Sequence, residues 1–167
     1  MRRVAYPEPY PWPVVSRGCA SALVALLPVA VLLTGCGRSV AVQPLPMGSD
    51  ASKAACAALT EALPGTLSAG RSWRVEPDAN STAAWGTPPV VLRCGDGVPA
   101  PEPTDQLLRV DGLTWVVEAL TDGEEYRTVD RAPGVVVTIP DTYAPTSAVL
   151  AELAPTVGAS TEPIGQG

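Results

Sequence analysis

The residue with the clearest chemistry in this sequence is Cys36, which follows an apolar run. The run extends from Cys19 to Leu33, and the small residues Thr34 and Gly35 separate it from Cys36. A basic segment, an apolar run and small residues before the cut define a secretory signal. The tetrapeptide from Leu33 to Cys36 has the form of a bacterial lipobox, in which the cysteine is acylated and becomes the first residue of the mature protein. The sequence therefore predicts lipidation of Cys36.

The rest of the signal segment agrees with this interpretation. Arg2, Arg3 and Arg17 supply the basic residues ahead of the run. The run is too short for a membrane-spanning helix, which needs about 20 apolar residues, and it contains Pro28. An ordinary signal peptide cut elsewhere, or an uncleaved anchor, is the alternative. A lipidated cysteine carries at least two acyl chains, palmitate included, which suffice for stable anchoring. We expect a protein anchored to the extracytoplasmic face of the cell membrane.

Two further cysteines remain in the mature chain. Cys56 and Cys94 form an even pair in a secreted domain, and this predicts a disulfide between them. Two free thiols or a redox pair are the alternative, but the chain has neither a Cys-x-x-Cys spacing nor a histidine to support it.

Composition excludes several kinds of site. The chain has 167 residues, with 11 basic and 17 acidic side chains and no histidine. The segment up to Gly35 holds three arginines and one glutamate, so the mature chain keeps 8 basic and 16 acidic residues, a net charge near −8. This acidity argues against nucleic-acid binding and against electrostatic docking on anionic lipid. Without histidine there is no Ser-His or Cys-His pair and no histidine metal site. We expect no catalytic, cofactor or metal site.

One cluster of carboxylates has an open interpretation. Asp122, Glu124, Glu125 and Asp130 are close in sequence and could bind calcium weakly. Their spacing lacks the ligand order of a calcium loop, so a solvated hairpin turn is the simpler interpretation.

Aromatic residues are the candidates for a contact surface. We expect Trp73 and Trp115 to pack in the core. Trp85 stands beside Gly86 and two prolines, which makes it the best candidate among the tryptophans for an exposed platform, and Tyr143 is a second candidate contact residue. The candidate surfaces are the stretches Trp85–Pro89 and Pro99–Thr104 and the region of Tyr143.

These residues are positioned by one predicted globular domain at 50–157. A signal peptide at 1–35 and a lipid-anchored tether at 36–49 precede it, and a disordered tail at 158–167 follows. The first helix is predicted from Asp50 to Leu63, because apolar residues recur at helical spacing and a Pro-Gly pair ends it. A second helix is predicted from Thr146 to Val157, and Pro155 should end or kink it.

Alternating polar and apolar residues between the helices predict five or six antiparallel strands. The Asp111-Gly112 pair predicts a two-residue turn that places Val110 opposite Leu113. Seven segments have this pattern, of which five or six are expected to form the sheet: 72–76, 82–85, 90–94, 106–110, 113–118, 125–129 and 135–139. Strands in sequence between two terminal helices predict an α+β fold with both helices packed on one face of an antiparallel sheet.

Three stretches are similar to one bacterial family. The stretch 83–95, with the sequence AAWGTPPVVLRCG, the stretch from Asp111 to Trp115 and the stretch from Asp141 to Pro145 resemble blocks of the actinobacterial DUF3515 envelope proteins. Ten arginines against a single lysine fit a GC-rich actinobacterial genome. The family is defined by a domain of unknown function. The resemblance therefore implies an envelope location and the two-cysteine pattern, but no catalytic residue, cofactor or substrate.

Two functions follow as expectations. The first is a non-catalytic envelope module that binds a protein partner or a cell-wall component. It fits the anchor, the disulfide and the lack of recognisable catalytic groups. The second is a small-molecule carrier, or a carboxylate-based enzyme, with a pocket between sheet and helices lined by convergent polar groups.

Overall fold

The computed structural model describes residues 39–77 and 79–165, so the signal segment and Cys36 lie outside the described residues. The described part of the chain contains two helices, twelve strands and a short 3₁₀ helix at Asp141–Tyr143. The helices are α1 (Asp50–Ala62) and α2 (Thr146–Ser160). The strands are β1 (Ser39–Ala41), β2 (Thr66–Leu67), β3 (Gly70–Arg71), β4 (Arg74–Glu76), β5 (Thr82–Trp85), β6 (Val90–Gly95), β7 (Gln106–Val110), β8 (Leu113–Ala119), β9 (Gly123–Thr128), β10 (Arg131–Ala132), β11 (Gly134–Pro140) and β12 (Glu162–Pro163).

Six of these strands form one antiparallel sheet in the order β5-β6-β11-β9-β8-β7. The predicted hairpin is confirmed, since Val110 pairs with Leu113. Its turn residues Asp111 and Gly112 have φ values of 46° and 83°, the positive values that a type I′ turn requires. The α+β class and the six-stranded antiparallel sheet are therefore confirmed.

The core of the domain lies against one face of this sheet. Cys94 pairs with Val135, and Val137 pairs with Leu92 on one side and with Tyr126 on the other. Directly paired residues share a face, and all five of these side chains are buried.

Each helix has a contact with this buried face. Cys56 of α1 forms the predicted disulfide with Cys94, with a Cα–Cα distance of 5.6 Å. At the start of α2, the Thr146 hydroxyl lies 2.7 Å from the Tyr126 hydroxyl. The packing of both helices on one face stays a prediction, which these two contacts favour.

Helix α1 agrees closely with the sequence pattern. Ser49 caps it, because its side-chain oxygen accepts a hydrogen bond from the backbone N–H of Ser52 at 3.0 Å. Cys56 and Leu59 are the buried residues of the helix. They lie one turn apart, so the helix presents one apolar stripe to the core.

Helix α2 begins at Thr146 as predicted but runs to Ser160, beyond Pro155. Pro155 therefore does not end the helix, and a kink at Pro155, the other predicted outcome, stays a prediction. Pro155 is exposed, and its ring removes a hydrogen bond on the side of the helix that water reaches. The opposite side buries Leu150, Leu153 and Val157, and this packing holds the helix together past the proline. Neither helix of the described residues is long and apolar enough to cross a membrane.

The segment predicted as a tether is part of the domain from Ser39 onward. Strand β1 pairs in parallel with β4, and Val42 is buried. At the other end of the segment, the Gly48 backbone N–H donates to the Asp96 carboxylate at 2.5 Å, and the Asp96 backbone N–H donates to the Pro46 carbonyl at 2.8 Å. The predicted tether is wrong for residues 39–49.

The predicted disordered tail is also partly ordered. Strand β12 pairs with β10, and the guanidinium of Arg131 donates to the Gly158 carbonyl at 2.7 Å and to the Thr161 hydroxyl at 3.0 Å. The prediction of disorder is wrong for residues 158–165, because their partners come from a distant hairpin that local composition does not reveal.

Candidate functional site

Two of the three sequence blocks that resemble the family meet in space. The Tyr143 hydroxyl donates to the Pro88 carbonyl at 2.8 Å. Gly86 lies at the same junction with φ of 74°, and a Cβ atom there would lie 2.5 Å from the Tyr143 hydroxyl. Only glycine tolerates both the positive φ and this close approach. The exposed residues around this hydrogen bond, which we call the Pro88–Tyr143 surface, are Thr87, Pro88, Asp141, Thr142 and Ala144.

The two tryptophans on this side of the domain differ in burial. Trp85 is only 1% exposed, and its indole N–H donates to the Pro64 carbonyl at 2.8 Å. Trp73 is half-buried, and its indole N–H donates to the Gly86 carbonyl at 2.6 Å. Trp85, the best candidate for an exposed platform, is therefore buried, and Trp73 is half-buried where core packing was expected, whereas Trp115 is buried as expected. Tyr143 is half-buried and contributes its hydroxyl to the junction.

A polar cluster lies beside the Pro88–Tyr143 surface. Glu124 and Tyr126 stand two residues apart in β9 and so share a face, and the Tyr126 hydroxyl donates to the Glu124 carboxylate at 2.6 Å. The Thr146 hydroxyl, at the first residue of α2, donates to the same carboxylate oxygen. We call these three residues the Glu124 cluster.

The hydrogen bonds of the Glu124 cluster set its charge. Donation from the Thr146 hydroxyl, and then from the Tyr126 hydroxyl, lowers the pKa of Glu124 although partial burial opposes this. Burial, together with the neighbouring carboxylate, raises the pKa of Tyr126 to about 12. At neutral pH the Glu124 cluster therefore carries one negative charge. It lies on the Glu124 carboxylate, which accepts hydrogen bonds from two neutral hydroxyl groups.

The Glu124 cluster forms one wall of a cleft of about 410 Å³ at the end of the sheet. The other walls come from the start of β7 and from the segment between β11 and α2. Asp141 and Ala144 line the cleft and also belong to the Pro88–Tyr143 surface, and Pro145 lines the cleft next to Ala144. A charged carboxylate and several hydroxyl groups make the cleft suited to ligands that donate hydrogen bonds or carry positive charge.

The structure separates the carboxylates that the calcium hypothesis grouped. Glu124 and Glu125 are consecutive in β9 and so point to opposite faces of the sheet. Glu125 pairs with Arg93 at 2.8 Å, whereas Glu124 belongs to the cluster described above. Within residues 39–77 and 79–165, no group of three acidic or cysteine side chains is arranged to hold a metal ion. The calcium interpretation is wrong for this pair.

A second group of charges lies on the face of the sheet that carries Glu125. Arg127 approaches Asp105 at 3.9 Å and Glu118 at 3.8 Å. Its Nε atom is buried and has no hydrogen-bond partner among the described residues. These distances are long for ion pairs, so the group contributes little to stability.

Replacing Glu124 by glutamine is expected to weaken the pH dependence of stability. Because the folded-state pKa of Glu124 is lowered from 4.5, its charge contributes stability that is fully present above pH 4.5 and is lost as the pH falls through the folded pKa. We expect Glu124→Gln to be less stable than the wild type at neutral pH, with the difference shrinking in acid. Urea unfolding at a series of pH values measures this. Parallel curves for the two proteins would contradict a charged, hydrogen-bonded Glu124.

Sequence reasoning identified Glu124 and Tyr143 but missed Tyr126 and Thr146. The spacing of Glu124 and Tyr126 along one strand face was a usable signal, because residues two apart in a strand are neighbours. The approach of Thr146 depends on how α2 packs, and no local pattern encodes it.

Comparison with known proteins places the chain in one family. The family model described as "Protein of unknown function (DUF3515)" matches residues 19–164, which include the apolar run, Cys36 and nearly all of the described domain. Comparison with curated proteins and with solved structures gives no match. Since the match covers most of the sequence and agrees with the resemblance of the three blocks, the chain belongs to the DUF3515 family, whose function is unknown.

Proposed function

We propose that this protein is a lipid-anchored module on the extracytoplasmic face of the cell membrane, where it binds an envelope protein or a cell-wall component without transforming it. The Glu124 cluster and its cleft carry the binding role. The lipobox ending at Cys36 supports the location, and the family match begins at residue 19, inside the apolar run that precedes this cysteine.

The charge state of the cluster favours binding over proton-transfer catalysis. A general base works best when its pKa is close to the working pH. The hydrogen bonds from Thr146 and Tyr126 lower the pKa of Glu124 and so move it further below neutral pH. Tyr126, with a pKa of about 12, keeps its proton at neutral pH. The cluster thus offers a fixed negative charge that a donor group on a partner can approach, and it requires no proton exchange.

The rigid junction beside the cleft supports a macromolecular partner. The hydrogen bond from Tyr143 to the Pro88 carbonyl joins two loops that are 55 residues apart in sequence. Their exposed residues lie next to the cleft, so a partner can contact both at once. Loops held in place before binding lose little conformational entropy when a partner docks.

Photocrosslinking in intact cells tests this function. A photoreactive amino acid at Thr142, which is exposed on the Pro88–Tyr143 surface and follows Asp141 of the cleft, is expected to give a discrete crosslinked product. The same amino acid at exposed Glu61 in α1, which lines neither the cleft nor the Pro88–Tyr143 surface, serves as the matched control and should not give that product. We expect Glu124→Gln to weaken the Thr142 product. Identical products from both positions, or none at Thr142, would contradict a binding surface here.

The second candidate function is a small-molecule carrier, and the size of the cleft favours it. Its volume of about 410 Å³ lies within the range of about 300 to 1,000 Å³ that is typical of ligand pockets. A native mass spectrum of the purified protein distinguishes the two. A bound small molecule that is lost in Glu124→Gln would favour the carrier over the protein-binding module.

A further inference from the structure

We propose that one edge of the domain, formed by Arg71, Trp73 and Arg74, lies against an anionic bilayer surface. We call these three residues the Trp73 edge. The proposal rests on the lipid anchor at Cys36 proposed above. It specifies, in addition, which side of the domain faces the membrane.

The short chain between the anchor and β1 limits where the membrane lies. Only Gly37 and Arg38 separate Cys36 from Ser39. Their covalent geometry keeps the Cα atoms of Cys36 and Ser39 within about 11 Å of each other. The headgroup layer of a bilayer is about 5 to 8 Å thick. Because β1 is paired with β4, the start of β1 must lie at the membrane surface when Cys36 carries acyl chains.

The parallel pairing of β1 and β4 determines which end of β4 approaches the membrane. Ser39 pairs with Arg74, and Ala41 pairs with Glu76. The chain therefore leaves toward the anchor at the Arg74 end, and the acidic Glu76 lies at the opposite end of the strand. Trp73 directly precedes Arg74, and its backbone N–H donates to β5 at 2.8 Å, so it is fixed beside the exit of the chain.

The side chains of the Trp73 edge have the chemistry of a membrane interface. Arg71 and Arg74 are exposed, and neither takes part in an ion pair among the described residues. Half-buried Trp73 lies between two cavities, one of which Arg71 lines and the other Arg74. Tryptophan is enriched in the headgroup layer, and arginine is attracted to anionic lipid phosphates.

The uneven charge of the protein strengthens this orientation. The net charge near −8 of the mature chain opposes general docking on an anionic surface. Arg74 pairs with Ser39 at the end of β1 where the chain leaves toward the anchor, Arg71 is three residues before Arg74, and Arg38 is two residues from Cys36 in sequence, so these three of its eight basic residues are grouped near the attachment point. An anionic membrane therefore attracts this edge and repels most of the remaining surface.

Fluorescence quenching tests the orientation. The probe is the lipidated protein purified from membranes, in vesicles of equal parts phosphatidylcholine and phosphatidylglycerol with acyl chains brominated near the glycerol end. Bromine quenches tryptophan on contact, and the other tryptophans of the mature chain, Trp85 and Trp115, are 1% and 0% exposed. We expect quenching in the wild type that is absent in Trp73→Phe.

Charge variants test the electrostatic part of the proposal. Each arginine near an anionic surface contributes about fivefold, so the double variant Arg71→Ala/Arg74→Ala is expected to shift the orientation equilibrium away from the membrane about 30-fold and to reduce quenching. The matched control is Arg109→Ala. Arg109 is also exposed but lies in β7, at the opposite edge of the sheet from β5, and the two edge strands are about 24 Å apart by strand spacing. It should leave quenching unchanged.

Flotation of the vesicles separates this proposal from the anchor. Protein that floats with the vesicles but shows no quenching of Trp73, or equal quenching in the double arginine variant, overturns the membrane-facing edge and leaves the anchor intact. Protein that does not float refutes the anchor, and the orientation falls with it. Thermal unfolding of each variant verifies that a loss of quenching is not a loss of fold.

Discussion

Removal of the Cys56–Cys94 disulfide is expected to lower the free energy of unfolding by about 4 kcal/mol. The bridge spans a sequence separation of 38 residues, and closing a loop of that length restricts the unfolded chain by this amount in the chain-entropy model. Both cysteines are fully buried and join α1 to β6, the second strand from one edge of the sheet. Urea unfolding of the mature protein and of Cys56→Ala/Cys94→Ala measures the difference.

Equilibrium unfolding in the presence of a reductant provides the control for lost packing. The reduced wild type keeps both sulfur atoms, so its loss of stability reports the bridge alone. We expect reductant to destabilise the wild type by a similar amount and to leave the double variant unchanged. A wild type whose unfolding midpoint is unaffected by complete reduction would contradict a stabilising bridge.

Replacement of Cys36 by alanine is expected to abolish acylation completely. A single acyl chain gives only reversible membrane binding with a constant of about 10⁴ M⁻¹, whereas two or three chains hold a protein stably. Cells fed a labelled fatty acid should label the wild-type protein and not the Cys36→Ala variant. An alkaline wash of the membranes should leave the wild type in place.

The matched control for this experiment is Cys19→Ala. Cys19 stands at the start of the same apolar run, 17 residues before Cys36. Cys19 does not follow an apolar run that ends in a pair of small residues, as Cys36 does. We therefore expect the Cys19→Ala variant to be labelled like the wild type. Label that persists in Cys36→Ala, or disappears in Cys19→Ala, would contradict the assignment of the lipobox.

Features of the fold that depend on local pattern were predictable from the sequence. The Asp111-Gly112 turn requires positive φ values, and alternation on both sides of it fixes which residues face the core. Helix α1 begins at a serine cap and ends before a Pro-Gly pair, which are both local signals. The disulfide followed from counting, because two cysteines remain in the mature chain.

Features that depend on distant partners were not predictable in the same way. Residues 39–49 have the composition of a flexible linker, yet β4 and Asp96 bind them to the domain. The neighbours of Trp85 suggested an exposed loop, but the strand register turns its side chain into the core. In each case the deciding contact lies far away along the chain, where local propensity carries no information.

The candidate site shows the same division. The sequence identified Tyr143 and the acidic residues near Glu124, because their types stand out. The hydrogen bonds from Tyr126 and Thr146 that fix the charge of Glu124 require β9 and the start of α2 to meet. Chemistry that arises at such a junction is visible only in three dimensions.

The measurement that tests the proposed anchor most directly is the intact mass of the protein purified from membranes, with and without reductant. We predict a mass that begins at Cys36, includes at least two acyl chains, and rises by two hydrogens on reduction of the Cys56–Cys94 bond. A mass without lipid, or one that begins at another residue, would contradict a lipid-anchored envelope module.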